Sequence, residues 1–217
     1  MEISIYTFTL GRTKYLLENT NSYTPNQNIE HHVCFQGCIP VTLPQHCISH
    51  AWPENIGIAS GMNKILPLLK GDIIMKMDDD CKIISSNFFT HVKEIAKLKP
   101  NIVFSPYPVG LINNPGGIRG NRHEVIYSQE LDTYYTLRYV DHVGGFARLS
   151  PGFTKHWKFE HDLMDNASGN EDIQFSRKCN QEQIPMAYLE NAIIVEHQES
   201  TLGQHKRYGK EYFKGRF

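Results

Sequence analysis

The sequence predicts an α/β fold with a mixed, mostly parallel central sheet flanked by helices, and three observations carry that prediction. A strand-like stretch at residues 3–9 is followed at once by a helix-forming stretch, the opening of β-α-β winding. Short apolar runs then alternate with longer amphipathic ones. One of the short runs, 73–77, ends in three carboxylates, Asp78, Asp79 and Asp80. In open α/β sheets, ligands bind outside the carboxyl ends of the strands.

Taken in order, residues 3–9 form the first strand and Gly11-Arg12 opens a helix to about residue 23, with Tyr15, Leu16 and Leu17 on its buried face. Residues 31–36 read as a weaker second strand closed by Gly37. Its adjacent His31 and His32 face opposite ways, so two satisfied or exposed histidines account for them better than a pair of metal ligands. Pro40, Pro44 and Pro53 divide the next section into loop and short turns. A helix follows over 58–69, where Ile58, Met62, Ile65, Leu66 and Leu69 share an apolar face, Pro67 tightens the last turn and Gly71 stops it. The strand 73–77 comes next, then a helix from Ser85-Ser86 to about residue 98 and a fourth strand over 102–106.

The stretch 113–121, rich in glycine and asparagine, reads either as a lid or recognition loop or as a plain exposed connection. A strand over 134–143 ends at Gly144-Gly145-Phe146, where two glycines admit either a ligand or a bulge. Glu171-Asp172 introduces a helix over 173–179, preceded by the run 166–170, and both acids suit a helix amino terminus. Residues 193–197 form a final strand ending on His197. The tail, 205–217, is basic and aromatic.

Composition bounds the function. With 217 residues, the chain can bury a sizeable core, and 22 basic against 23 acidic side chains leave no global field for a polyanion. Five cysteines without paired zinc spacing read as reduced thiols in a cytoplasmic protein. The amino terminus lacks the pattern of a signal peptide, and no stretch has the length of a membrane span.

Chemistry concentrates at residues 78–80. Three crowded carboxylates repel one another unless a cation or strong donor neutralises them. On an extended chain Asp78 and Asp80 point one way and Asp79 the other, an Asp-x-Asp pair suited to Mg²⁺ or Mn²⁺. The plain alternative is a solvated loop ahead of a helix cap.

Four pieces then stand in order: Thr9-Leu10-Gly11-Arg12 after the first strand; Asn55-Ile56-Gly57 with Asn63; Gly71-Asp72-Ile73-Ile74 running to Asp78-Asp79-Asp80; and Gly144-Gly145-Phe146 followed by Glu171-Asp172. In this series the chain resembles the GT-A fold glycosyltransferases, family-2-like enzymes that use nucleotide-sugar donors, over about residues 3–197. The resemblance implies a single GT-A catalytic domain over 1–217, with a nucleotide-sugar-binding half to about 107 and an acceptor-binding half beyond. It implies that Thr9, Arg12, Asn55, Gly57, Asn63, Asp78 and Asp79 line or support the donor site, with Gly144 and Gly145 beside the transferred sugar. It also implies that Asp80, with Asp78 and His197, holds Mn²⁺ or Mg²⁺.

Asp172 is the expected general base of an inverting transfer of a hexose or pentose, and Glu171 a positioning group. Where that family often has a base-reading Asp, this chain has Gln36-Gly37, so UDP is the default nucleotide. The acceptor is left open among a lipid-linked saccharide, a protein, a small molecule and a modified base in DNA, the basic aromatic tail keeping nucleic acid among the candidates. A sugar nucleotidylyltransferase would need a longer, glycine-rich triphosphate loop after the first strand. A non-catalytic nucleotide-sugar-binding module is the reading from another class.

Overall fold

The structure is a computed structural model that describes residues 1–25, 28–110, 122–160 and 170–198. The readings at 113–121, 166–169 and 205–217 lie outside the described residues.

The elements in chain order are β1 (Ile3–Thr9), α1 (Thr13–Thr20), β2 (Ile29–Gln36), β3 (Cys47–Trp52), α2 (Ile58–Ile65), β4 (Ile73–Met77), β5 (Cys81–Ile83) and α3 (Phe88–Leu98). They continue with β6 (Val103–Ser105), β7 (Tyr107–Val109), β8 (His123–Ser128), β9 (Thr133–Val140), β10 (Ala147–Pro151), α4 (Asn170–Gln181), β11 (Met186–Leu189) and β12 (Ile194–His197). Short 3₁₀ turns follow α2 at Leu66–Leu68, where Pro67 stands, and β10 at Gly152–His156.

The central sheet has the order β3-β2-β1-β4-β10-β6-β11-β9-β8. All of its strands run one way except β10 and β9, so it is mixed and mostly parallel. β5, β12 and β7 form a second, three-stranded sheet. Every residue of β4 is buried, as the apolar run predicts for a central strand. α1 lies on one face, with Leu16 against Val33 and Phe35. α2 and α4 lie on the other, where a Cβ on Gly61 would come within 2.7 Å of Phe8 and where α4 meets β4 and β10. Among the described residues, no helix is long and apolar enough to cross a membrane.

Several boundaries differ from the sequence reading, each for a local reason. α1 stops at Thr20 because Thr20, Asn21 and Ser22 side chains take the carbonyls of Leu16, Leu17 and Asn19. The region between Pro44 and Pro53, read as loop, contains β3. Its prolines flank the strand, and as a sheet edge it is half exposed and carries no apolar alternation. β8, β10 and β11 were likewise invisible as strands. Glu171 and Asp172 do not precede α4 but sit in its first turn.

Candidate functional site at the carboxyl end of β4

The extended alternation expected for the three acids does not hold. β4 ends at Met77, and the chain turns at once, with the Cys81 N–H donating to the Asp78 carbonyl at 3.0 Å. Asp78 therefore goes one way while Asp79 and Asp80, both buried, go another. Among the described residues, Asp78, Asp80 and His197 do not converge as a three-ligand group. The turn is held from behind by α1 and the residues just after it: Asn19 Nδ2 donates to the Asp78 carbonyl at 2.9 Å, and the Ile83 N–H donates to Ser22 Oγ at 3.1 Å.

The first cluster gathers Thr9, Arg12, Asp79, Asp80 and His197. Arg12 pairs with both Asp79 and Asp80, and Thr9 Oγ1 donates to Asp79 at 2.7 Å. The strong donor that three crowded acids require is thus part of the chain itself. Burial alone would lower the Arg12 pKa, but the carboxylates of Asp79 and Asp80 raise it. Burial and the charge of Asp80 push Asp79 up to about 6, against the pull of Arg12. His197 reaches this place through the second sheet: β12 pairs with β5 so that His197 stands opposite Cys81, directly after Asp80. His197 Nε2 lies 3.5 Å from Asp80 Oδ2. Asp80 Oδ1 is buried with no hydrogen-bond partner. An orphaned carboxylate oxygen beside an imidazole is a donor set that fits a hard divalent cation.

The second cluster lies beneath the acids on the α2/α4 face. Tyr6, Lys76 and Arg148 stand side by side in register across β1, β4 and β10. Lys76 Nζ lies 3.0 Å from Asp78, 3.1 Å from Glu171 and 2.8 Å from the Gly145 carbonyl, and its side chain is 4% exposed. Arg148 donates to Asp172 at 3.0 Å and stacks 3.7 Å from the Phe175 ring centroid. The Gly145 N–H donates to Asp172 at 2.8 Å. Burial would lower the Lys76 pKa, but Asp78, Glu171 and Asp172 raise it. Glu171, buried and crowded by Asp172, is pushed up to about 7 although Lys76 pulls it down.

Gly145 is fixed by these close approaches, since a Cβ there would fall on Asp172 Oδ1 and 2.5 Å from Lys76 Nζ. Gly144 is less constrained, and its N–H donates to the Tyr188 hydroxyl at 2.9 Å. The two clusters join through the backbone, where the Asp78 N–H donates to the Phe146 carbonyl at 2.8 Å.

The remaining expected donor-site residues are further back. Asn55 caps the Gly57 N–H at 3.0 Å, and Gly57 itself adopts φ 77° at the start of α2. Gln36 Oε1 accepts from the Ile56 N–H, which ties that turn to the end of β2. Asn63 uses both ends of its amide on the backbone of Phe159, at 2.7 and 2.9 Å, so it secures the chain that follows β10. Sequence reasoning missed Lys76 and Arg148. Their signal was present: each is a lone cation in an otherwise apolar strand segment, and such residues are seldom buried without a partner.

This sheet, with acids at the end of β4 and a reversed strand beside it, is the GT-A glycosyltransferase fold. No protein-family model matches the sequence, and no curated protein sequence does. Solved structures match the fold. The chain is similar to TarS 1–349 of S. aureus, with a TM-score of 0.65 at 15% identity over 91% of this chain and 60% of that one. The same protein in complex with UDP-GlcNAc gives 0.66 at 15%, over 94% and 61%. GalNAc-T7 with UDP, GalNAc and Mn²⁺ gives 0.66 at 14%, over 93% and 44%. The chain thus spans about three fifths of the TarS fragment and less than half of GalNAc-T7.

Proposed function

We propose that the chain is a glycosyltransferase that moves a sugar from a nucleoside-diphosphate donor, by default a UDP-sugar, to an acceptor hydroxyl with inversion. One observation carries this reading: two charge clusters meet at the carboxyl end of β4, one fit for a diphosphate and its cation, the other presenting a carboxylate beside a bare glycine turn. Solved structures of the same fold bound to UDP or UDP-GlcNAc support it.

Breaking the bond between sugar and diphosphate develops negative charge on the leaving group. Asp80 and His197 are the residues to hold Mn²⁺ or Mg²⁺, which when bound supplies positive charge at the leaving diphosphate. Asp78 stands at the turn beside Lys76, placed to contact the donor. Thr9 orients Asp79 and Arg12 spans Asp79 and Asp80, so the donor meets a set of pre-placed groups.

On the sugar side Asp172 is the general base. Its side chain is 17% exposed, open enough to reach an acceptor hydroxyl, while the Gly145 N–H and Arg148 fix its orientation. Glu171, pushed up to about 7, is sealed against Lys76, so it positions rather than accepts. Five free cysteines support a cytoplasmic setting.

The test is thermal-shift screening of nucleotide sugars with and without Mn²⁺. A cognate donor at about 100 times its dissociation constant adds about 2.7 kcal/mol of stability. Slow donor hydrolysis in the same mixture separates a transferase from a pure binder. No shift with any donor overturns the proposal.

A further inference from the structure

Away from the acids, the α1 face of β2 and β3 gathers two histidines and a thiol. His31 and Cys47 are cross-strand partners in the parallel β2/β3 pairing, so both side chains project from the same face. His46 comes just before Cys47, in a tight turn closed by the Cys47 N–H donating to the Pro44 carbonyl at 2.9 Å. One ligand atom from each of His31, His46 and Cys47 lies within 4.8 Å of the others, and among the described residues this is the one such three-residue group. The face is closed over by Tyr23, whose ring packs edge-on to His46 at 5.3 Å between centroids.

The hydrogen bonds around the two imidazoles decide what the group can do. His46 Nε2 is shielded from water and has no hydrogen-bond partner. His31 Nε2 lies 2.9 Å from Thr7 Oγ1, and its Nδ1 lies 2.9 Å from the Tyr23 hydroxyl. With the Nε2–H on Thr7, Nδ1 offers a lone pair that a phenol O–H now occupies. His31 thus has one nitrogen anchored to a protein oxygen and the other available as an acceptor, which is how metal-bound histidines are held, and His46 adds a buried nitrogen that nothing in the fold engages. A water-shielded ring nitrogen with no partner is otherwise an unmet requirement of the fold.

We propose that His31 Nδ1, His46 Nε2 and Cys47 Sγ form a zinc site that fastens β2 and β3 together. Two imidazoles and one thiolate make a borderline-soft set that selects Zn²⁺ over the Mg²⁺ or Mn²⁺ suited to Asp80. On binding, the Cys47 thiol releases its proton to solvent and the Tyr23 hydroxyl gives up Nδ1. The fourth position of the tetrahedron goes to that hydroxyl or to water. His31 lies five residues before the carboxyl end of β2, so the site acts on the sheet edge and not on sugar transfer.

The experiment is Co²⁺ titration of the reduced, chelator-stripped chain, read by absorption spectroscopy. The expected result is visible bands of a tetrahedral ion together with a thiolate-to-cobalt charge-transfer band, both displaced by one equivalent of Zn²⁺. Cys47→Ser is expected to lose the charge-transfer band. His46→Ala is expected to weaken binding at least roughly tenfold. Asp80→Asn leaves the spectrum unchanged, which separates this site from the carboxylates. A wild-type spectrum without the charge-transfer band, cobalt held through Asp80 alone, or a band that survives in Cys47→Ser each overturns the assignment.

Discussion

Replacing Lys76 by Met tests the charge accounting beneath the site. Lys76 Nζ lies 3.1 Å from Glu171, whose side chain is 2% exposed. At an effective dielectric constant of about 20, that separation gives an attraction of about 5 kcal/mol. Removing one partner of such a buried pair typically destabilises by about 3–5 kcal/mol, because the other charge is stranded. The loss depends on pH with a definite sign. Glu171 is already pushed up to about 7 in the folded chain, so its proton favours folding and its contribution fades as pH rises from the ordinary carboxylate range through about 7.

Without Lys76, Glu171 holds its proton to still higher pH. Near pH 5 it is neutral with or without Lys76, and the variant loses chiefly the contacts to Gly145 and Asp78, about 1 kcal/mol each. Near pH 8.5 the full loss of about 3–5 kcal/mol is expected. Urea unfolding at the two pH values, extrapolated linearly, measures both. The double variant Lys76→Met/Glu171→Gln is expected to recover most of the loss at the higher pH, since the stranded charge is gone. Equal losses at both pH values, or no recovery in the double variant, would refute the reasoning.

Asp172→Asn is expected to leave donor-induced thermal shifts intact and lower kcat about 10²–10⁴-fold, and product stereochemistry by NMR reports whether transfer inverts. Gly145→Ala places a methyl group on Asp172 Oδ1 and against Lys76 Nζ, so steady-state kinetics are expected to show about a 10²-fold loss in kcat, with about 1–3 kcal/mol of stability lost to overpacking. Asn63→Ala strands the backbone N–H and carbonyl of buried Phe159, and chemical denaturation is expected to register about 1–3 kcal/mol lost. Asp80→Asn is expected to abolish the Mn²⁺-dependent part of the donor thermal shift while keeping the metal-free part.

How far the sequence spoke varied by element. The strand 73–77 was legible residue by residue because a bounding glycine and branched apolar residues specify a buried central strand. α2 was legible from its apolar face, and Pro67 correctly marked where the helix tightens. β3, β10 and β11 were not, because a sheet edge and short strands buried on both faces lack the alternation that identifies strands.

The acids of the site were visible as a run, but their partners were not. Arg12 is separated from Asp79 by 67 residues and Lys76 from Glu171 by 95, and such distances are closed by sheet order alone. The reading of His31 as a satisfied histidine agrees with its two hydroxyl neighbours. What the sequence could not supply was His46 turning toward it, since the intervening chain was read as loop.

The cations of the site sit at different depths, with Arg148 enclosed beside Asp172. Lys76 is sealed, whereas the Arg12 side chain is 23% exposed. Mobile ions screen exposed charges within about a Debye length and scarcely affect enclosed ones. Ionic strength therefore acts as a selective probe of this molecule: salt loosens the clasp of Arg12 on Asp79 and Asp80, while the floor under Glu171 and Asp172 keeps its shape.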